Sequence, residues 1–148
     1  MLKFFGVIFI TIVASILLLV LDHFSTGHFL SSYLGSELVQ TYAAILGFNI
    51  AATIFLLGQL FVIEEKVQSK SVFDKARKEI KQNAYCLVIS FALTIVLLTI
   101  KPAFIDNTSV YNNGGYYIIN VLLLSLLGIA IFAIFEILNA AFSLSKRN

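Results

Sequence analysis

Long apolar runs dominate this chain, and short polar segments separate them. The runs are Phe4–Leu21, Leu38–Ile63, Ala84–Ile100 and Ile118–Phe142. One crossing of a bilayer core takes roughly 20 predominantly apolar residues, range about 17–25. Each run fits that window to within a residue or two. None alternates at period two, as the strands of a membrane barrel would. Helices are the other structure that satisfies every backbone group in lipid. The pattern therefore predicts an all-α integral membrane protein with four transmembrane helices, forming a single domain over residues 1–148.

The first run follows Lys3 and has something of a signal peptide about it. Its apolar core is longer than the usual 7–15 residues, and Asp22-His23-Phe24-Ser25 follows in place of a small-residue cleavage site. It is read as a retained span. The segment Glu64–Asn83 carries the other strong pattern. Ser71 and Asp74 have the spacing of an N-terminal capping box, with a shorter acid in the second place. Phe73, Ala76, Ile80 and Ala84 then recur at helical spacing with charges between them. Span two is expected to run on to about Ser69 and to turn tightly. A new helix should start near Val72 and enter span three without a break, giving a helical hairpin.

Charge adds orientation. Nine of the ten basic residues fall on one side of the four spans, and Lys101 alone falls on the other. Lys and Arg collect in cytoplasmic loops. Both termini and the 64–83 hairpin are therefore predicted to be cytoplasmic. The outer loops, Asp22–Glu37 and Lys101–Tyr117, carry tyrosines suited to the headgroup layer, and Asn112-Asn113-Gly114-Gly115 is a turn signal. Composition agrees: 59% of residues are hydrophobic and 12% charged, against about 25% charged in a soluble domain. A net charge of +2 is too small to imply direct nucleic-acid binding.

Little in the chain carries chemistry. The one cysteine, Cys86, excludes an internal disulfide and a Cys-rich metal site. Asp22, His23 and His28 do not have the spacing of a ligand set, and Asn107-Thr108-Ser109 is a weak glycosylation match. No P-loop, H-E-x-x-H, G-x-S-x-G or C-x-x-C is present. The expectation is a protein that is not an enzyme and needs no metal or cofactor.

Three sets of residues stand out. Glu136 lies inside span four and shares a sector of roughly 80° with Ser125, Gly128, Phe132, Asn139 and Ser143. An acid within a span marks an ion path, an oligomer axis or a helix contact. The structural role is preferred, with Lys81 or Lys146 as a partner. Asn49 sits near the centre of span two beside a ridge of small residues, Ala43, Gly47 and Ala51. Such a ridge lets helices approach closely and an asparagine bonds across them. These four residues predict helix packing and a homo-oligomer, and Gln59 reads the same way. In the hairpin, Phe73, Ala76 and Ile80 form an apolar stripe with a rim of Lys75, Arg77, Lys78 and Lys81. Basic residues alone would set topology and attract anionic lipid. The added apolar stripe predicts a docking site for a cytosolic protein.

The layout of four spans, inner termini, short outer loops and one basic inner hairpin resembles KwaA, the membrane-subunit family of the bacterial Kiwa anti-phage system. Span two is similar in texture, from Tyr42-Ala43-Ala44-Ile45-Leu46-Gly47-Phe48-Asn49 to Leu60-Phe61-Val62-Ile63-Glu64-Glu65-Lys66. The resemblance implies a homotetrameric scaffold in the bacterial inner membrane. Such a scaffold would sense phage-induced change at the envelope and hold a cytosolic effector, KwaB, on its inner face. A different class, a small pore such as a holin or ion channel with Glu136 lining the conduit, is the alternative.

Overall fold

The computed structural model describes residues 2–25, 29–67, 74–104 and 114–145. It is helical throughout, with no strand among the described residues. The order is α1 (Leu2–Phe24), α2 (Phe29–Tyr33), α3 (Ser36–Val67), α4 (Asp74–Ile100), a 3-10 turn (Lys101–Phe104) and α5 (Gly114–Ser145). Four of these, α1, α3, α4 and α5, are long and apolar enough to cross a membrane. All four expected spans are found, each somewhat longer than its apolar run. At 1.5 Å per residue the 32 residues of α3 and of α5 extend about 48 Å. That exceeds the roughly 30 Å hydrocarbon layer, so both helices tilt or project beyond it.

Local chemistry explains where the helices stop. Pro102 has no backbone N–H to bond the carbonyl of Leu98 four residues back, and α4 ends at Ile100. The chain then tightens into the 3-10 turn. At the other end of α4, Asp74 places an acid in the first turn, where the helix dipole favours it. The described helix continues unbroken into the apolar run, and its expected start near Val72 lies outside the described residues. Ser71, Phe73 and the expected tight turn lie outside the described residues.

The four long helices run up and down. The ends of α3 and α5 and the start of α1 and α4 meet at the end where basic residues collect, here called the basic end. α2 and the 3-10 turn lie at the opposite end. α5 is the hub, packing against α1, α3 and α4. In its apolar window 39% of residues are buried, against 11% for α1. α1 leans on α5 alone among the long helices and presents Phe5, Phe9, Ile10, Ile16 and Leu17 outward.

Burial follows a repeat of seven. On α4 the buried residues include Ile80, Leu87 and Thr94, with Lys101 of the 3-10 turn next in the series; on α3 they include Tyr42, Asn49 and Leu56. A seven-residue repeat keeps one seam facing a neighbour when helices cross near +20°. Two apolar clusters result. The larger joins Leu34, Leu38, Tyr42, Leu87, Ile119 and Leu123. The smaller, at the basic end, joins Leu56, Leu60, Ile80 and Ile137.

Candidate functional site at the basic end of the bundle

The basic end is held by one ion pair and one apolar plug. Glu64, in the last turn of α3, accepts a hydrogen bond from Arg77 Nη2 in the first turns of α4. The Glu64 residue is only 7% exposed, and its second oxygen, Oε1, has no hydrogen-bond partner. A buried carboxylate needs a cation close by, since removing the partner leaves an uncompensated charge. One turn further along, Ile80 fits between Leu56, Leu60 and Ile137, with Ala76 packed against the same cluster. Deeper still, Asn83 Nδ2 donates to the carbonyl of Ala133 on α5 at 3.2 Å.

This arrangement corrects the docking stripe. Ala76 and Ile80 are used within the subunit, closing α4 onto α3 and α5, and Arg77 is engaged by Glu64. The physical reason is that a helix leaving an apolar cluster keeps its apolar face on that cluster for as long as neighbours are available. Phe73 and the side chain of Lys75 lie outside the described residues. What α4 offers on the outside at this end is charge: Asp74, Lys78, Glu79 and Lys81 are all exposed.

Glu136 and Asn139 also face outward. Ser125 is buried and Gly128 meets Thr11 of α1, so the outer half of that helical stripe packs inside the subunit. The inner half does not. No ion pair joins Glu136 to Lys81, and Lys146 lies outside the described residues. Ile137 packs with Ile80, which sets Glu136 at the height of Lys81 and not at the middle of the bundle.

Asn49 is where the reading of span two divides. It is 1% exposed, so it faces the interior; its Oδ1 accepts from Thr53 at 3.4 Å, and its Nδ2 has no partner. Within this subunit it therefore bonds along its own helix, and not across to another. Ala43, Gly47 and Ala51 face outward, and a Cβ built on Gly47 would meet nothing within 4 Å. The ridge is open within one subunit.

Several polar residues to which the sequence pattern gave no packing partner are structurally central. Lys101 is buried at the opposite end, donating from Nζ to the carbonyl of Leu34 at 2.7 Å and lying 4.9 Å from the centre of the Tyr116 ring. It ties the α2–α3 corner to α4 and α5. Ser15 and Ser125 are linked at 3.1 Å across α1 and α5. Asn120 Oδ1 is buried without a partner, and Tyr42 is fully buried beside Thr94 of α4. The one legible signal for these was the seven-residue spacing, which puts Lys101 in line with Thr94 and Leu87. His23 meets Tyr117 of α5, and His28 lies outside the described residues. No group of three or more His, Cys, Asp or Glu that could hold a metal occurs among the described residues.

The comparisons add no relative: no protein-family model, curated protein or solved structure matches the chain.

Proposed function

We propose that this protein is a non-enzymatic, homo-oligomeric membrane scaffold, a tetramer in the manner of KwaA. It would span the bacterial inner membrane with both termini inside. There it holds a cytosolic effector and takes part in anti-phage defence. The basic end carries this reading. The Glu64–Arg77 pair and the Ile80 plug fasten the start of α4 onto α3 and α5. A fastened helix start is a rigid platform, and it presents Asp74, Lys78 and Glu79 outward. A partner would therefore be recognised by a charged pattern at this end, together with Phe73. The distribution of Lys and Arg supports a cytoplasmic position for that platform.

The experiment separates the scaffold from a pore. Cells expressing the chain together with the soluble protein encoded beside it should resist phage, and cells expressing either one alone should not. Lys78→Glu should lower recovery of the soluble protein with the membrane fraction and lower resistance in parallel. Leakage of ions or dye from cells expressing the chain alone, with no need for a partner, would overturn the scaffold in favour of a pore.

A further inference from the structure

Glu136 has no ion-pair partner among the described residues of its own subunit. It is exposed on the flank of α5, with Phe135, Leu138 and Phe142 exposed around it. Lipid tails offer no hydrogen-bond donor, and an acid on that surface is costly to leave bare. Side chains on a helix lean toward its N-terminus. α5 ends at the basic end, so Glu136 leans away from that end, toward the apolar layer.

α4 carries the complementary group on its own outer face. Lys81 and Tyr85 are one turn apart and both exposed. α4 begins at the basic end, so both lean toward that end, and the flexible four-carbon stem of Lys81 can turn back toward the carboxylate. The hydroxyl of Tyr85, from one turn deeper, is thereby brought back toward the height of Glu136. That height is fixed by Ile137 packing with Ile80, the neighbours in sequence of Glu136 and Lys81.

We propose that Glu136 is covered by a second copy of this chain, whose α4 presents Lys81 and Tyr85 to the carboxylate. The ammonium supplies charge and the phenol a hydrogen bond. The contact joins α5 of one copy to α4 of the next. Such a contact is heterologous: it repeats from copy to copy and closes when the rotation permits a ring. The proposal rests on the homo-oligomer reading above and names the surface that builds it.

Complementation between charge-reversed copies tests it. A tagged Glu136→Lys chain and an untagged Lys81→Glu chain are expressed together, extracted in mild detergent and recovered by the tag. In an alternating ring every contact between these two copies pairs opposite charges. Each variant with itself sets like charges together. Recovery of the mixed pair should exceed that of either variant with itself by about tenfold, the factor given by roughly 1.4 kcal/mol. Lys66→Glu, the same change of charge on α3, should not complement Glu136→Lys. An ion pair within one subunit cannot be repaired in this way by a second chain. Should the reversed chains fail to accumulate, Glu136→Gln and Tyr85→Phe provide uncharged tests. Each should lower recovery of its own untagged copy severalfold, and unchanged recovery overturns the proposal. Equal recovery for all combinations, with wild type still self-associating, overturns this contact and leaves the oligomer standing. Absence of self-association in wild type removes both.

Discussion

At the scale of single residues, the charged groups divide into those the fold has paired and those it leaves open. Glu64 and Arg77 are thirteen positions apart and become neighbours because α3 and α4 run antiparallel from a common end. Removing one partner should cost more than removing both. Arg77→Leu leaves the Glu64 carboxylate buried and bare, a loss on the order of 3–5 kcal/mol for a fully buried pair and less for this half-exposed arginine. The double variant Glu64→Leu/Arg77→Leu should recover much of that loss. Thermal unfolding in detergent measures both, and a double variant less stable than Arg77→Leu would contradict the account. Glu136 is the opposite case, exposed and without an ion pair among the described residues. If it lined a conduit, Glu136→Gln would alter conductance or ion selectivity in a reconstituted bilayer. The expected outcome is altered assembly and no current that depends on Glu136.

At the scale of elements, two glycines make contrasting predictions. On α5, a Cβ added at Gly128 would lie 2.8 Å from Cγ2 and 3.2 Å from Cβ of Thr11 on α1. Thr11 is stiff at χ1, and its hydroxyl is bonded to the carbonyl of Ile8. It cannot swing aside without losing that bond. Gly128→Ala should therefore loosen α1 from α5, by about 1–3 kcal/mol if the cost resembles other overpacked sites. Thr11→Ala in the same chain should relieve it, as read by unfolding in detergent. Gly47 on α3 has open space around it. Gly47→Leu should leave the stability of the subunit nearly unchanged and act, if at all, on assembly, because close approach there involves another copy. Sedimentation or native mass measurement distinguishes the two glycines.

At the scale of the whole molecule, the prediction is topological. Nine of ten basic residues lie on one side of the spans. With Cys86 replaced by Ser, a cysteine introduced at Ser109 should react with an impermeant thiol reagent in intact cells. One introduced at Ser71 should react only after the membrane is opened. The reverse result would move the α4 platform outside and remove the cytosolic effector from the proposal. The bundle also has a plan that no single span reveals. α5 is central, while α1 is peripheral and mostly exposed. A seam of Ser15, Ser125, Thr11 and Gly128 holds this peripheral helix to α5.

The spans were legible from the sequence because an apolar stretch of this length has one stable environment, and each residue contributes to that signal independently of its neighbours in space. Helix ends near Pro102 and Asp74 were legible for a similar reason, since they depend on local backbone hydrogen bonding and the helix dipole. The docking stripe was misread on the same ground that made it visible. Periodicity shows that Ala76 and Ile80 share a face, but not whether that face meets a partner or Leu56, Leu60 and Ile137 of the same subunit. The pairing of Glu64 with Arg77 was hidden for a related reason, as was the reach of Lys101 across 67 positions to Leu34. Both contacts require knowing which helices are neighbours. In a chain where nearly every helix face is apolar, hydrophobicity does not mark which face turns inward. Tertiary packing decides that, through small residues, buried polar groups and the crossing angle of the helices.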